Sequence, residues 1–380
     1  MFDLGWPGTK LLASKDLPGI ASAKEANKPF KILPDLGLLH AKLDTLSNHI
    51  ASKLRTKFPG TQPVSFQRKD LDLVCLPGQF YVCEKSDGQR YLMMYINKQC
   101  LLVNTKLEFF ELGEREERFD LVEDTLVDGE LVLENDGKVN FYVFDSLHFS
   151  KLCVVDAMLD TRLRMIQSRN LSTMCPSTIS SLVLKKMYLA SASQFVLEQH
   201  LSHESDGLIF TKVSPPYVAG SSNDILKWKP VEMNTADFQV RKVQLENGSS
   251  KFAQLFWQER GVCKPFPHQS YIYLSKEQHE LFEQVGKEEI VCECSFDADW
   301  FVPELLGADN WDEVQAVKPP APAVGAWKFM RFRHDKALPN SIHTVESVME
   351  SIANPVTKHE LLAKLLETTP SNDHKRVKLE

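Results

Sequence analysis

Between residues 79 and 147 the chain passes through five short apolar stretches, "QFYVCEK", "RYLMMYI", "CLLVN", "TLVDGELVLE" and "VNFYVFDSL". Each is broken by charged or turn-forming residues before it reaches the length of a helix. Runs this short, rich in branched and aromatic residues and following one another closely, predict an antiparallel-rich sheet. Asn135-Asp136-Gly137 predicts a hairpin between the last two runs. Strand character returns at "DGLIFTK" and "DILKWKP".

Helical spacing is confined to a few segments. Leu36, Leu39, Leu43, Leu46, Ile50 and Leu54 fall three or four apart between a capping Asp35 and the stop Pro59-Gly60. Residues 156 to 203 read as helical, and a helix begins near Thr357 with Glu360 completing a capping box. Strands and helices of this order predict an α+β domain.

After Pro230 the texture changes. "ADFQVRKVQLENGSSKFAQLFWQ" is two alternating runs around Asn247-Gly248, a hairpin signal, and "QSYIYLS" and "EEIVCECSF" add short strands. About a hundred such residues suit a small Greek-key barrel of the OB-fold kind. "VKPPAPAVGAW" reads as a linker-like loop leading into "WKFMRFRHDK". The expected organisation is a catalytic domain over 1–236, an OB-fold domain over 237–340, a helical segment over 341–367 and a disordered tail over 368–380.

With 380 residues and 43% hydrophobic composition, the chain can form two packed domains. A net charge of −7 leaves no global basic surface for duplex nucleic acid, so nucleotide or RNA binding must come from local Lys and Arg clusters. No apolar run has the length of a membrane span and the N-terminus lacks a signal-peptide core, so a soluble intracellular protein is expected. The eight cysteines include no CxxC pair, and Cys292 and Cys294 share one strand face, which favours burial over metal or disulfide. HExxH, GxxxxGK[ST] and GxGxxG are absent.

Four charged segments then stand out, each at the edge of an apolar strand: Lys85-x-Asp87-Gly88-x-Arg90, Asp128-Gly129-Glu130, Glu204-x-Asp206-Gly207 and Lys227-x-Lys229. Singly, an Asp-Gly pair is more often an ordinary turn and a Lys-x-Lys more often a solvated strand face. Together they assemble a reaction. A lysine attacks phosphorus only when neutral, and at a pKa of ~10.4 roughly one in a thousand is neutral near pH 7.4. Cationic neighbours and desolvation lower that pKa, and Lys227 and Lys229 supply the first while neutralising an α-phosphate. Glu130 and Asp206 can hold a divalent cation or ribose hydroxyls, and Arg90 offers a planar fork to phosphate or ribose oxygens. The implied chemistry is nucleotidyl transfer through a lysyl phosphoramidate.

The chain resembles the covalent nucleotidyltransferase superfamily, and within it the eukaryotic mRNA guanylyltransferases, the mRNA capping enzymes. "EKSDGQR" matches the nucleophile motif KxDGxR. "VDGELV", "FYVFDSL", "SDGLIF" and "LKWKP" match the next four motifs in order, and "MRFRHDK" matches the terminal RxDK motif that DNA ligases in general lack. "FPGTQPVSF" and "PPYVAG" are further guanylyltransferase-like stretches, so the likeness spans Phe58 to Lys336.

The resemblance implies roles residue by residue. Lys85 would be the nucleophile, with Asp87 beside it in the motif and Arg90 contacting ribose and phosphate. Glu130 would bind ribose or metal, Phe144 would stack on guanine, Asp206 would lie near the metal, and Lys227 and Lys229 would hold phosphates. Arg333, Asp335 and Lys336 would act on the β- and γ-phosphates. Lys106 stands where many relatives place a ribose-binding arginine, and a lysine cannot make that bidentate contact. From the residues alone, Phe144 suits core packing as well as stacking, His200 and His203 suit helix-end surface positions, Glu204 suits loop orientation, and Trp228 alternates into the core.

The implied substrate is GTP, with Mg2+ or Mn2+ as cofactor, and the implied acceptor is the 5′-diphosphate end of nascent RNA. No HCxxGxxR phosphatase loop occurs, so the likeness is to the single-function, fungal-like type, which implies a separate RNA triphosphatase. The family also implies docking to the phosphorylated C-terminal tail of RNA polymerase II, a nuclear location and no membrane partner. "KRVK" near the end fits either an import signal or an ordinary basic tail.

Overall fold

The computed structural model describes residues 30–32, 58–96, 98–105, 109–112, 116–122, 124–245, 248–267, 271–298, 325–333 and 336–367. The helix expected from Asp35, the Pro-rich loop before Gly325, the tail after residue 367, Lys106 and Asp335 lie outside the described residues. In chain order the strands are β1 (Phe30–Ile32), β2 (Thr61–Ser65), β3 (Phe80–Ser86), β4 (Gln89–Ile96), β5 (Gln99–Val103), β6 (Phe109–Leu112), β7 (Thr125–Leu133), β8 (Val139–Phe149), β9 (Leu152–Cys153), β10 (Ser181–Leu184), β11 (Tyr188–Leu189), β12 (Ser205–Lys212) and β13 (Gly220–Trp228). They continue as β14 (Thr235–Leu245), β15 (Gly248–Glu259), β16 (Val262–Pro265), β17 (Tyr271–Tyr273), β18 (Glu289–Asp297) and β19 (Ala326–Phe332). The helices are α1 (Leu71–Val74), α2 (Leu159–Gln167), α3 (Leu171–Met174), α4 (Ser193–Leu197), α5 (Lys276–Val285), α6 (Ile342–Ala353) and α7 (Lys358–Glu367).

The described chain divides into two compact units. One runs to Lys229 and resumes at Lys358, and the other spans Pro230–Thr357. The first unit holds two sheets. An eight-stranded sheet has the order β1-β6-β5-β4-β7-β8-β10 with β9 on β8, and a five-stranded sheet has the order β11-β3-β12-β13-β2. The β7–β8 hairpin turns at Asn135-Asp136-Gly137, as its sequence predicts. Residues 91–96 of β4 form an unbroken apolar run because both faces of the sheet are covered there. Tyr91, Met93 and Tyr95 pack with Phe110, Phe141 and Ile166 on one side, while Leu92, Met94 and Ile96 pack with Leu126 and Leu147 on the other.

The stretch from 156 to 203 departs from its helical reading. It holds α2, α3 and α4, but also β10, which pairs in parallel with β8, and β11, which pairs with β3. The open edges of two sheets capture these two short apolar runs, and edge pairing outweighs weak local helix propensity.

The second unit is built on a six-stranded antiparallel sheet with the order β16-β15-β14-β18-β19 and β17 on β15. The β14–β15 hairpin places Leu245 opposite Gly248, at the expected turn. Phe238, Leu255, Phe282, Cys292, Cys294, Trp327 and Val345 form its core. Helix α5 is closed by a Ser275–Gln278 capping box at one end and by Gly286 at φ 65° at the other. The C-terminal helical segment is shared between the units. Helix α6 adds Val345 and Val348 to the second core, whereas α7 returns to the first unit. There Lys364 pairs with Asp72 at 3.0 Å and Arg68 Nη2 donates to Glu360 at 3.1 Å. Among the described residues no helix is long and apolar enough to cross a membrane.

Candidate active site

The Lys85–Arg90 segment is the crossing between the two sheets of the first unit: Lys85 is the penultimate residue of β3 in the smaller sheet and Arg90 the second residue of β4 in the larger. That crossing explains why charged groups crowd into it. It delivers a lysine from one sheet and an arginine from the other to a cavity of about 210 Å3. Lys85, Cys83 and Ile209 line the cavity from one side, and Arg90, Asp128, Glu130 and Phe144 from the other. Lys185 and Tyr217 line it from connecting segments.

Register places the second lysine pair. Cys83 faces Ile209 across β3 and β12, and Ile209 faces Lys227 across β12 and β13, so all three share one sheet face. Lys85 lies two residues beyond Cys83 on that same face. Trp228 alternates to the opposite face and is buried, as its position predicts. Beyond the strand end, Lys229 Nζ lies 2.5 Å from Asp206 Oδ2, while Lys85 Nζ lies 2.7 Å from Asp206 Oδ1. One carboxylate thus holds both lysines. Burial acts to raise the Asp206 pKa, but the charges of Lys85 and Lys229 outweigh it and hold the carboxyl below the usual range.

Two of the Asp-Gly pairs are not turns. Asp128-Gly129 lies inside β7 and Asp206-Gly207 inside β12. A Cβ on Gly129 would sit 2.3 Å from the Phe141 ring, and one on Gly207, at φ 150°, would sit 2.0 Å from the Trp228 carbonyl oxygen. Close strand approach excludes any side chain at either position, and so each aspartate is held against its neighbouring strand. Asp87 does lie in a connection. Its N–H donates to the Glu204 carbonyl at 3.0 Å, which ties the β3 end to the segment leading into Asp206. Its side chain is not part of the cavity wall.

Arg90 is clamped by its surroundings. Its Nε donates to Asp128 Oδ1 at 2.9 Å and Nη2 to Oδ2 at 2.5 Å, while Nη1 donates to the Thr61 carbonyl. The guanidinium stands 5.4 Å from the Phe144 ring centre and 5.6 Å from that of Phe58. The Tyr217 hydroxyl donates to Asp128 and accepts from Thr61 N at 3.0 Å, closing the group. Asp128 is fully buried. Breaking such a pair from one side leaves an uncompensated buried charge, so Asp128→Ala is expected to lower unfolding free energy by about 3–5 kcal/mol, read by urea denaturation.

Glu130 lies opposite Arg90 in the sheet, half-buried. Burial pushes its carboxyl pKa up, against the charges of Lys185, Lys85 and Arg90. Phe144 both lines the cavity and packs beside Cys83, Leu159 and Met187, so it serves wall and core at once. Glu204 and His200 are exposed. His203 is not at the surface: it is buried, its ring 5.1 Å from that of Tyr142. Its position next to a helix end gave no hint of the strands that cover it.

Arg333 and Lys336 belong to the second unit. Arg333 Nη1 lies 3.0 Å from Asp237 Oδ1, Lys336 Nζ bonds the same carboxylate, and Glu293 stands 3.8 Å from Arg333. One buried aspartate therefore gathers the two basic residues of the RxDK motif.

Sequence reasoning passed over Lys185. It sits in the gap between β10 and β11, where the chain steps from the larger sheet to the smaller, with its N–H bonded to the Val143 carbonyl at 2.7 Å. In "VLKKMYL" nothing separates it from Lys186, because the step between sheets is invisible in the string. Tyr217 and Asp128 were legible as members of "PPYVAG" and "VDGELV", though not as partners of each other.

Comparison with known proteins agrees with this architecture. Residues 38–231 match the family profile "mRNA capping enzyme, catalytic domain" and residues 233–362 match "mRNA capping enzyme, C-terminal domain". That match makes the chain a nucleotidyltransferase. It is 31% identical over 367 residues to the mRNA-capping enzyme subunit alpha of Schizosaccharomyces pombe, covering 84% of this chain and 83% of that one. The Saccharomyces cerevisiae subunit alpha is 27% identical, covering 91% and 84%. The Caenorhabditis elegans mRNA-capping enzyme is 28% identical, covering 87% of this chain and 52% of that one. The chain belongs to the mRNA capping enzyme family.

Proposed function

We propose that the chain is a GTP:RNA guanylyltransferase whose nucleophile is Lys85. The observation that carries this reading is the pairing of Lys85 and Lys229 on Asp206 beside the cavity. Lys85 Nζ attacks the α-phosphorus of GTP, the P–N bond forms as the bond to the bridging oxygen breaks, and pyrophosphate leaves. The terminal oxygen of a 5′-diphosphate RNA then displaces Lys85 to give the GpppN cap. Lys227 and Lys229 neutralise the charge that builds on the α-phosphate. The guanine would occupy the cavity against Phe144, with Arg90, Glu130 and Asp87 toward ribose and phosphate. Lys185 presents N–H donors at the cavity wall. These suit the O6 acceptor of guanine and oppose the amino group that adenine carries at the same position.

The donor set fits a hard cation. Glu130 and Asp206 supply carboxylate oxygens, and Mg2+ or Mn2+ is commonly bound by one or two carboxylates with substrate phosphates completing the shell. Such an ion would supply charge neutralisation at the phosphates.

We read the six-stranded sheet of the second unit as an OB-type barrel whose Arg333, Asp335 and Lys336 grip the β- and γ-phosphates. Those phosphates are gone once enzyme–GMP has formed. Arg333→Ala and Lys336→Ala should therefore slow adduct formation by about tenfold while changing transfer from preformed enzyme–GMP less than about twofold. Measuring the half-reactions separately decides it, and equal losses in both would assign the residues to folding or RNA binding instead.

Partners follow the family. The fungal relatives are named as alpha subunits, which implies a second subunit, and we assign that place to a separate RNA triphosphatase acting beforehand. The phosphorylated tail of RNA polymerase II is the docking partner and the nucleus the site of action. Incubation with α-labelled GTP or ATP followed by a denaturing gel tests the whole reading. A band with GTP that ATP does not reproduce is expected; a band from ATP alone would mean a ligase, and no band with either a non-catalytic protein.

A further inference from the structure

We propose that Ser86, His203 and Glu134 form a buried support that aims Lys185 into the cavity, making them positioning residues for recognition of the base. The inference rests on reading Lys185 as the base-facing donor. Lys185 is buried, yet its partners differ in what they fix. Glu84 and Glu130 lie 3.5 and 3.9 Å from its Nζ and supply charge with little direction. Ser86 Oγ accepts its hydrogen bond at 2.7 Å and sets where the ammonium points.

Behind Ser86 the polar chain continues away from the cavity. Ser86 Oγ lies 3.3 Å from His203 Nε2, and His203 Nδ1 lies 3.6 Å from Glu134 Oε2. Glu134 Oε1 is anchored by the Tyr142 hydroxyl at 2.7 Å and Asn140 Nδ2 at 2.9 Å. Neither His203 Nδ1 nor Glu134 Oε2 has a hydrogen-bond partner, and the two face each other. One proton assignment agrees with these contacts, the 3.6 Å separation of His203 Nδ1 and Glu134 Oε2 being an electrostatic contact and not a hydrogen bond. Lys185 donates to Ser86, the Ser86 hydroxyl donates to His203 Nε2, and the hydrogen of His203 sits on Nδ1, toward Glu134.

Ser86, His203 and Glu134 are 1%, 7% and 5% exposed, so three polar side chains are sunk where apolar ones would pack more cheaply. Such a buried network gives directional uniqueness, which a flexible lysine on a pocket wall otherwise lacks. The elements it joins also matter. Ser86 ends β3, Glu134 follows β7, and His203 precedes β12, so the support couples Lys185 to both sheets that form the cavity.

The test measures adduct formation from GTP and from ATP. His203→Phe keeps a ring on Tyr142 and removes both nitrogens, Ser86→Ala removes one oxygen, and His203→Gln retains polar atoms. We expect His203→Phe and Ser86→Ala to raise the apparent KM for GTP about tenfold and reduce the preference for GTP over ATP by a similar factor, with kcat changed less than about twofold. His203→Gln should recover most of the loss. In a Lys185→Met background neither substitution should raise KM further, because the group it positions is gone. An equal KM increase in both backgrounds would overturn the proposal, as would unchanged KM and preference in folded Ser86→Ala. Should His203→Phe fail to fold, Ser86→Ala carries the test. If Lys185→Met itself leaves KM and preference unchanged, the base-facing reading of Lys185 fails instead.

Discussion

Lys85→Ala and Lys85→Arg are expected to abolish the covalent GMP adduct while the protein stays folded. Alanine removes the only nitrogen proposed to attack phosphorus, and arginine keeps the charge but is never deprotonated in a protein. The fold should survive because Lys85 contributes one of two ion pairs on Asp206, and Lys229 would still neutralise that carboxylate. The loss has a second signature. Lys85 is the first of the charges that hold the Asp206 carboxyl below its usual pKa, so its removal moves that pKa upward. Labelled GTP on a denaturing gel reads the first effect and carboxyl NMR the second. The wild-type adduct should be acid-labile and alkali-stable, as a phosphoramidate is, and an adduct that persists in Lys85→Ala would remove Lys85 from its role.

Lys229→Ala is expected to cut the rate of adduct formation a hundredfold or more, the scale of losing one charge contact made in the transition state. The structure adds a reason for the size. Lys229 and Lys85 share Asp206, so without Lys229 the carboxylate is left to Lys85 alone, and the nucleophile is held on its partner rather than released to phosphorus. Lys227→Ala should act in the same direction through the α-phosphate, since its register puts it on the face that Lys85 shares. Single-turnover rates at saturating GTP, with thermal melts to confirm folding, are the measurement. Near-normal rates in both variants would mean that the pair is a solvated strand face and that the phosphates lie elsewhere.

Much of both units was legible in advance because the signals are local. The strand-length apolar runs, the turn at Asn135-Asp136-Gly137, the burial of Trp228, Cys292 and Cys294, and the hairpin closing at Gly248 all follow from side-chain chemistry within a few residues. Where local propensity was weak, neighbours decided. Residues 181–184 and 188–189 became strands because β8 and β3 offered open edges, and His203 is buried against Tyr142 and Ser86 where a helix end would have left it in water.

The division at the site has the same cause. Spacing in the string was enough to single out Lys85, Arg90, Glu130, Asp206, Lys227 and Lys229, since their order along strand edges carries the chemistry. Which groups meet was settled only by the packing of two sheets. Asp128 clamps Arg90, Asp206 holds Lys85 and Lys229 together, and Lys185 reaches Ser86 across 99 residues of sequence. A hydrogen bond or ion pair depends on separation in space to within an ångström, and chain order constrains that separation only between near neighbours. Residue types and their periodicity therefore determined the strands and the candidate chemistry, while the partners of each charged group came from how the strands are laid side by side.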